Sequence, residues 1–278
     1  MDIKLSSETL NLLIEKLSKA IGWYCEPKQI RRLAKADAEA KLISTNSDIK
    51  SQELYDAYEK RKIHQGIKDE KNISNIILKC LISMKEATKA DDVDDDWLRF
   101  FFEKAKMVSD EQMQDIWANL LSGELEKPGS FSKRTINLVE LLDKSDAKLF
   151  TSLCSFGVYH GGSLYPLIID YQNQVYIEKG LNFEKLQHLD NIGLINFDSI
   201  VHFSINIDGE KSYFSYFGDV ILFKFNKKTN NEVSIGKVML TEPGRQLSKI
   251  CGATKIEGYV DRIIDHLKGM PNVEVENK

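Results

Sequence analysis

Apolar residues in the first half of the chain recur at three- and four-residue intervals. Leu10, Leu13, Ile14, Leu17 and Ile21 form one such stripe, the spacing of a single buried face on an α-helix. Ser6 or Ser7 stands where its cap belongs. Gly22 to Pro27 interrupts the pattern, with Pro27 suited to the first turn of a new helix. From Lys28 to about Lys68 the chain is strongly polar and free of proline, and Ala34, Ala36, Ala38 and Ala40 favour helix by propensity. The apolar stripe there is thin, which predicts a helix that projects or packs against another copy of itself. A second helical block carries Ile73, Ile76, Ile77, Cys80, Leu81 and Met84 on a broad face. The acidic run Asp91 to Asp96 precedes Trp97, Phe100 and Phe101, and its last aspartate is expected to cap the helix they begin. Ser109-Asp110-Glu111 opens a helix whose inward stripe is Met113, Ile116, Trp117, Leu120 and Leu121. Gly123 falls near its end, and Pro128-Gly129 signals a turn. Ser132 and Ser145 are placed to cap two further helices, the first ending at Leu142 and the second running from Asp146 to about Phe156.

Beyond residue 160 the texture changes. Leu164 to Ile169 and Gln174 to Ile177 read as short strands, and Asn182 caps a helix that closes at Gly193. Alternating apolar and aromatic positions from Ile200 to Ile207 and from Tyr213 to Phe225 predict two or three strands, and Lys237 to Leu240 one more. Thr241-Glu242-Pro243-Gly244 leads into a helix through Ile250, and a last helix spans Gly258 to Lys268. A helix ending in Gly193-Leu194-Ile195, then strands, then LTEPGRQL resembles a winged-helix domain with a long wing at 200–240. The expected class is therefore mainly α with an α+β C-terminal part: long N-terminal helices, a central helical bundle and a winged-helix-like C-terminal domain. The expected divisions are 1–68, an assembly region; 69–158, a helical domain; and 159–278, the winged-helix-like part. No internal repeat or low-complexity linker is present in the sequence.

Composition narrows this picture. The chain has 278 residues, 42% hydrophobic and 29% charged, with only five prolines, so it can bury a core and is poor in helix breakers. A net charge of −4 removes any global argument for nucleic-acid binding. Cys25, Cys80, Cys154 and Cys251 are far apart, without the spacing of a zinc site or a disulfide framework, and three of them sit among apolar neighbours as small core residues. The N-terminus lacks the basic start and apolar run of a signal peptide. No stretch reaches the roughly 20 apolar residues of a membrane span, so a reducing cytoplasm is the expected compartment.

Candidate chemistry is sparse. The Asp91–Asp96 run lacks the alternation, central glycine and terminal glutamate of a calcium loop. Glu111, Asp115, Glu124 and Glu126 lie on or near one helix and read as solvated or salt-bridged faces. His64, His160, His188, His202 and His266 are singletons, and no phosphate loop, nucleophile elbow or metalloprotease motif accompanies them. No metal or cofactor is expected. Gly129 to Thr135 combines a glycine, Ser130, Ser132, Lys133 and Arg134 ahead of a helix; such a stretch can cradle a phosphate at a helix N-terminus or meet a partner, or it is a turn, a Ser132 cap and solvated cations. Lys28, Arg31, Arg32 and Lys35 share one helix face beside Trp23 and Tyr24, a basic surface suited to an anionic membrane, nucleic acid or simply water.

Three phrases are more specific: IGWYCEPKQIRRLAKADAEA at 21–40, SDEQMQDIWANLLSGELEKPGSFSKRT at 109–135 and LTEPGRQLSKICG at 240–252. With DDWLRFFFEKAKMVSD they resemble an uncharacterised bacterial family, a domain of unknown function, over nearly the whole chain. The stretch around Trp117-Ala118-Asn119-Leu120-Leu121 is more loosely similar to abortive-infection proteins of the alpha type, which implies phage defence as a setting. The leading expectation is a non-enzymatic, self-associating interaction protein with protein partners. The alternatives are a nucleic-acid-binding winged-helix protein and a defence effector with an unrecognised hydrolytic site.

Overall fold

Helix α1 (Ile49–Ser83) runs 35 residues, about 52 Å at 1.5 Å per residue. Its last three turns place Ile73, Ile76, Cys80 and Leu81 on one buried face, and that face packs against α3 (Glu111–Glu126). This computed structural model describes residues 15–17, 49–84 and 89–276; the predicted helix over 28–48 lies outside them. The chain divides into two compact units, Met1–Ile136 and Asn137–Lys278.

In the N-terminal unit a 3-10 turn (Ala90–Asp92) leads to α2 (Asp95–Ala105). Its cap is Asp94, two residues earlier than expected. Asp94 Oδ1 accepts the N–H groups of Asp96 at 2.6 Å and Trp97 at 3.1 Å, and these bonds hold its carboxyl below the usual carboxylate range. Trp97, Leu98, Phe101, Phe102 and Ala105 then face inward. The Trp97 ring stacks on Phe101 at 5.3 Å, and Phe101 meets Trp117 of α3 edge-on at 5.1 Å. α3 opens within Ser109-Asp110-Glu111 as the sequence predicts, with Asp110 as its cap, accepting from Gln112 and Met113.

The division between the units falls within α4 (Lys133–Leu141). Next comes α5 (Lys144–Cys154), capped at Asp143 rather than at Ser145. Asp146 Oδ2 accepts the Asp143 N–H at 3.0 Å, so a carboxylate three residues in, rather than a serine hydroxyl, fixes the start. Strands β1 (Gly157–His160) and β2 (Ser163–Pro166) form a hairpin. Gln174–Ile177, expected as a strand, is the short helix α6. Asn173 Oδ1 accepts the Val175 N–H at 3.2 Å, and this local cap overrides the β-propensity of Val175, Tyr176 and Ile177. Helix α7 (Phe183–Asn191) follows, capped at Asn182 as expected.

Six strands separate α7 from α8 (Glu242–Ser248): β3 (Ile195–Phe197), β4 (Phe203–Ile207), β5 (Lys211–Tyr216), β6 (Asp219–Phe225), β7 (Asn231–Gly236) and β8 (Val238–Leu240). They pair from the outside inward, β3 with β8, β4 with β7 and β5 with β6, all antiparallel. A winged-helix reading requires such a ribbon to project. Here its tip is captured instead: β5 pairs with β1, and β6 with β9 (Val273–Val275), giving a five-stranded sheet in the order β2-β1-β5-β6-β9. One sheet face buries Val158, Phe214, Tyr216, Ile221, Phe223 and Phe225, while Tyr159, Tyr213, Val220 and Leu222 stay exposed on the other, the period of two that strands impose.

With about 50% helix and 19% strand, the fold is α+β, not mainly α, and the winged-helix expectation falls with it. The excursion 195–240 buries alternate apolar side chains in a sheet, which gives that region a core of its own.

The phrase LTEPGRQL does act as its sequence suggests. Thr241 Oγ1 accepts the Gly244 N–H at 3.1 Å and starts α8. Gly244 is required there because a Cβ would lie 2.0 Å from the Leu194 carbonyl oxygen. The last helix is α9 (Tyr259–Lys268). Among the described residues no helix is long and apolar enough to cross a membrane.

Candidate functional site

The loop before α4 was the first candidate, and its geometry is specific. Glu124, near the end of α3 and only 3% exposed, accepts the N–H of Gly129 at 2.6 Å and of Phe131 at 2.9 Å. These are donors of the kind that would cradle a phosphate, and the protein's own carboxylate receives them. Trp97 Nε1 donates to the Phe131 carbonyl at 2.6 Å, and the Phe131 ring lies against Gly123. Ser130 Oγ donates to the Lys127 carbonyl, and Ser132 Oγ accepts the Thr135 N–H at 3.2 Å. Ser130 and Ser132 are half-buried, whereas Lys133 and Arg134 are exposed. The four candidates therefore sit on one short segment, the serines bonded inward and the cations outward. Lys28, Arg31, Arg32 and Lys35 lie outside the described residues.

The other carboxylates of α3 behave differently. Asp115 Oδ1 pairs with Lys79 of α1 at 2.6 Å, as a salt-bridged face requires. Glu124 is the exception: it follows Trp117, Leu120 and Leu121 on the buried stripe of the helix, and the loop it caps supplies donors for its carboxylate.

A second site lies in the C-terminal unit, where α5 and α7 meet. Asp146 Oδ1 stands 2.7 Å from His188 Nε2, and Asp146 is the more buried of the two. The same carboxylate fixes the first turn of α5 through Asp143, so one residue starts a helix and orients an imidazole. The pair borders an open cleft of about 550 Å³, also lined by Ser145, Ser152, Lys148, Lys179 and Lys185. None of these three lysines has an ion-pair partner among the described residues. Asp143 also lines the cleft and the carboxylate of Asp146 is engaged by His188, so three ammonium groups face two carboxylates there. No motif marks it, because the two halves of the dyad are 42 positions apart.

The remaining histidines are not gathered into a site. His160 Nδ1 lies 3.1 Å from the Tyr213 carbonyl, and His266 Nε2 lies 2.7 Å from that of Ser234. No group of three or more His, Cys, Asp or Glu among the described residues is placed to hold a metal ion.

The third feature is a surface. On α1, Ile63 and Ile67 are 62% and 63% exposed, and Leu78 and Ile82 are exposed further along. At 100° per residue these four share one stripe, adjacent to the face that packs on α3.

A family model described as a protein of unknown function (DUF2806) matches residues 56–264. No curated protein and no solved structure matches the chain.

Proposed function

Because the chain belongs to the DUF2806 family of proteins of unknown function, which brings no activity with it, we propose its role from its surfaces: a cytoplasmic, self-associating interaction protein that pairs through α1. The exposed Ile63–Ile67 stripe carries this reading, because its flanking charges are arranged in opposite order on its two sides. With a two-fold axis at Gln65, antiparallel α1 helices bring Ile63 of one copy against Ile67 of the other. Lys60 then faces Glu70, and Glu59 faces Lys71. All six positions fall on one side of the helix, as an isologous contact requires. Gly66 leaves open space around its would-be Cβ, so the backbones can approach closely.

Sedimentation velocity on the full chain tests the proposal. The wild type is expected to be dimeric or larger at micromolar concentration, and Ile63→Glu with Ile67→Glu to be monomeric with unchanged far-UV circular dichroism. A monomeric wild type, or a double variant that still associates, overturns it. The similarity to abortive-infection proteins adds phage defence as the setting. In that case the wild-type gene lowers phage plating and the monomeric variant does not; equal plating for both removes the setting.

A second reading rests on the α5–α7 cleft: Lys148, Lys179 and Lys185 bind a phosphate-bearing anion beside the Asp146–His188 pair. It takes the place of a hydrolytic effector, because the three lysines offer charged donors to an oxyanion. Inorganic phosphate or pyrophosphate is expected to raise the melting temperature above that in chloride of equal ionic strength, and Lys148→Ala with Lys185→Ala to abolish the difference. Equal melting in both salts removes this reading.

A further inference from the structure

Two thiols stand on adjoining segments of the C-terminal unit, outside both surfaces discussed above. Cys154 is the last residue of α5 and fully buried, while Cys251, in the turn after α8, is half-buried. The Cys251 thiol donates to the Ser248 carbonyl at 3.4 Å, and each of the two thiols perturbs the titration of the other. The surrounding chain holds them in place. Ser155 Oγ, one residue beyond Cys154, accepts the Thr254 N–H at 3.2 Å. The Tyr216 hydroxyl donates to the Ser155 carbonyl at 3.0 Å and accepts the Ile256 N–H at 2.9 Å. Thr151 Oγ1 lies 2.9 Å from the Cys251 carbonyl. The segment 251–256 is thus fastened to the end of α5, which keeps Cys251 beside Cys154.

We propose that Cys154 and Cys251 are a thiol oxidation site that takes hydrogen peroxide as substrate and closes to a reversible disulfide. The Cys251 thiolate attacks one peroxide oxygen, the O–O bond breaks, and the departing hydroxide takes up a proton to become water. Cys251 is now a sulfenic acid. Cys154 gives up its proton as its sulfur displaces hydroxide from Cys251, forming the S–S bond and a second water. Two thiols lose two electrons, and the peroxide gains them.

The roles divide by environment. Cys154 lowers the pKa of the Cys251 thiol, the less buried of the two, and the Ala253 N–H adds to this. Burial pushes Cys154 up, which suits a resolving thiol that reacts only with the sulfur beside it. Cys80, in the core of the N-terminal unit, is pushed up by burial and then by Glu126; no other thiol among the described residues perturbs it, and it serves as an internal control. In a reducing compartment the pair rests as two thiols and forms the disulfide only when peroxide is present.

The test exposes the native full chain to hydrogen peroxide, then denatures, alkylates and digests it without reductant. The expected product is a peptide pair joined through Cys154 and Cys251. Closing so long a loop should also raise the melting temperature by roughly 5–15 °C. Dithiothreitol reverses both changes. With Cys154→Ala the reaction stops at a Cys251 sulfenic acid that dimedone traps, and with Cys251→Ser the Cys154 thiol stays reduced. The proposal is overturned if both thiols alkylate fully after peroxide sufficient to oxidise free glutathione. It is equally overturned if Cys80 is consumed as fast as Cys251, or if the disulfide joins separate copies.

Discussion

Removing the Glu124 carboxylate isolates what the loop before α4 depends on. Glu124→Ala leaves the Gly129 and Phe131 N–H groups facing a small void. Each bond to a charged acceptor contributes about 1.5–3 kcal/mol, so the loss should be about 3–5 kcal/mol, a large share of the roughly 5–15 kcal/mol that holds a domain together. Glu124→Gln keeps the shape but offers one carbonyl oxygen where two carboxylate oxygens stood, and its amide turns a donor toward a donor. It should cost about 2–3 kcal/mol. Urea unfolding followed by circular dichroism and tryptophan emission measures both losses, and Trp97, bonded to the Phe131 carbonyl, reports the loop locally. Because the vacated donors form an anion cradle, formate should restore part of the stability of Glu124→Ala, while sodium chloride at equal ionic strength should not. A loss below about 1 kcal/mol for Glu124→Ala would refute the reasoning.

Three further outcomes follow from the same geometry. Reversing one charge with Lys60→Glu should weaken dimerisation of the full chain, and adding Glu70→Lys should restore it, as read by sedimentation; no recovery would exclude the antiparallel register at Gln65. Gly244→Ala places a Cβ against a backbone carbonyl that no rotamer can relieve, so thermal or urea unfolding should show a loss of about 2–3 kcal/mol. His266 is held below its ordinary pKa by burial and then by the charge of His202, against the opposing bond to Ser234. Its neutral form is therefore favoured in the fold: the stability it contributes is complete above about pH 6.5 and is lost as pH falls toward the lower folded value. His266→Gln should flatten the fall in melting temperature between neutral and mildly acidic pH, and an unchanged slope would assign it to other groups.

Helices with a wide apolar stripe were legible from the sequence because their period is local. α3, α4 and α7 stand close to where the stripe through Trp117 and the caps at Ser132 and Asn182 put them. Starts were less secure wherever several acceptors compete: six residues from Asp91 to Asp96 offer five carboxylates, and backbone geometry selects Asp94. Gln174–Ile177 has strand-forming side chains, yet one amide oxygen from Asn173 turns it into a helix. The larger miss has a different cause. Nothing local in Lys211–Phe225 says that β1 and β9 will pair with its two edges, and that long-range capture separates a wing from a sheet. The sites share this property. Asp146 with His188, and Cys154 with Cys251, meet only once the fold has formed, whereas Ser130 to Arg134 could be noticed because they are consecutive. Glu124, which receives that loop's donors, sat among carboxylates expected at the surface.

The nested pairing of β3 to β8 also bears on how the C-terminal unit assembles. Each pairing inside the excursion shortens the chain that the next must close, so β5–β6 forms at the smallest entropic cost, then β4–β7, then β3–β8. Residues 195 and 240 meet without a free loop of that length ever being closed in one step. The ribbon can zip from the Phe217-Gly218 turn outward, and only the docking of β1 and β9 remains as a long-distance search. A slow phase in refolding therefore belongs to those two edges, and changes at the turn should alter the folding rate more than the unfolding rate.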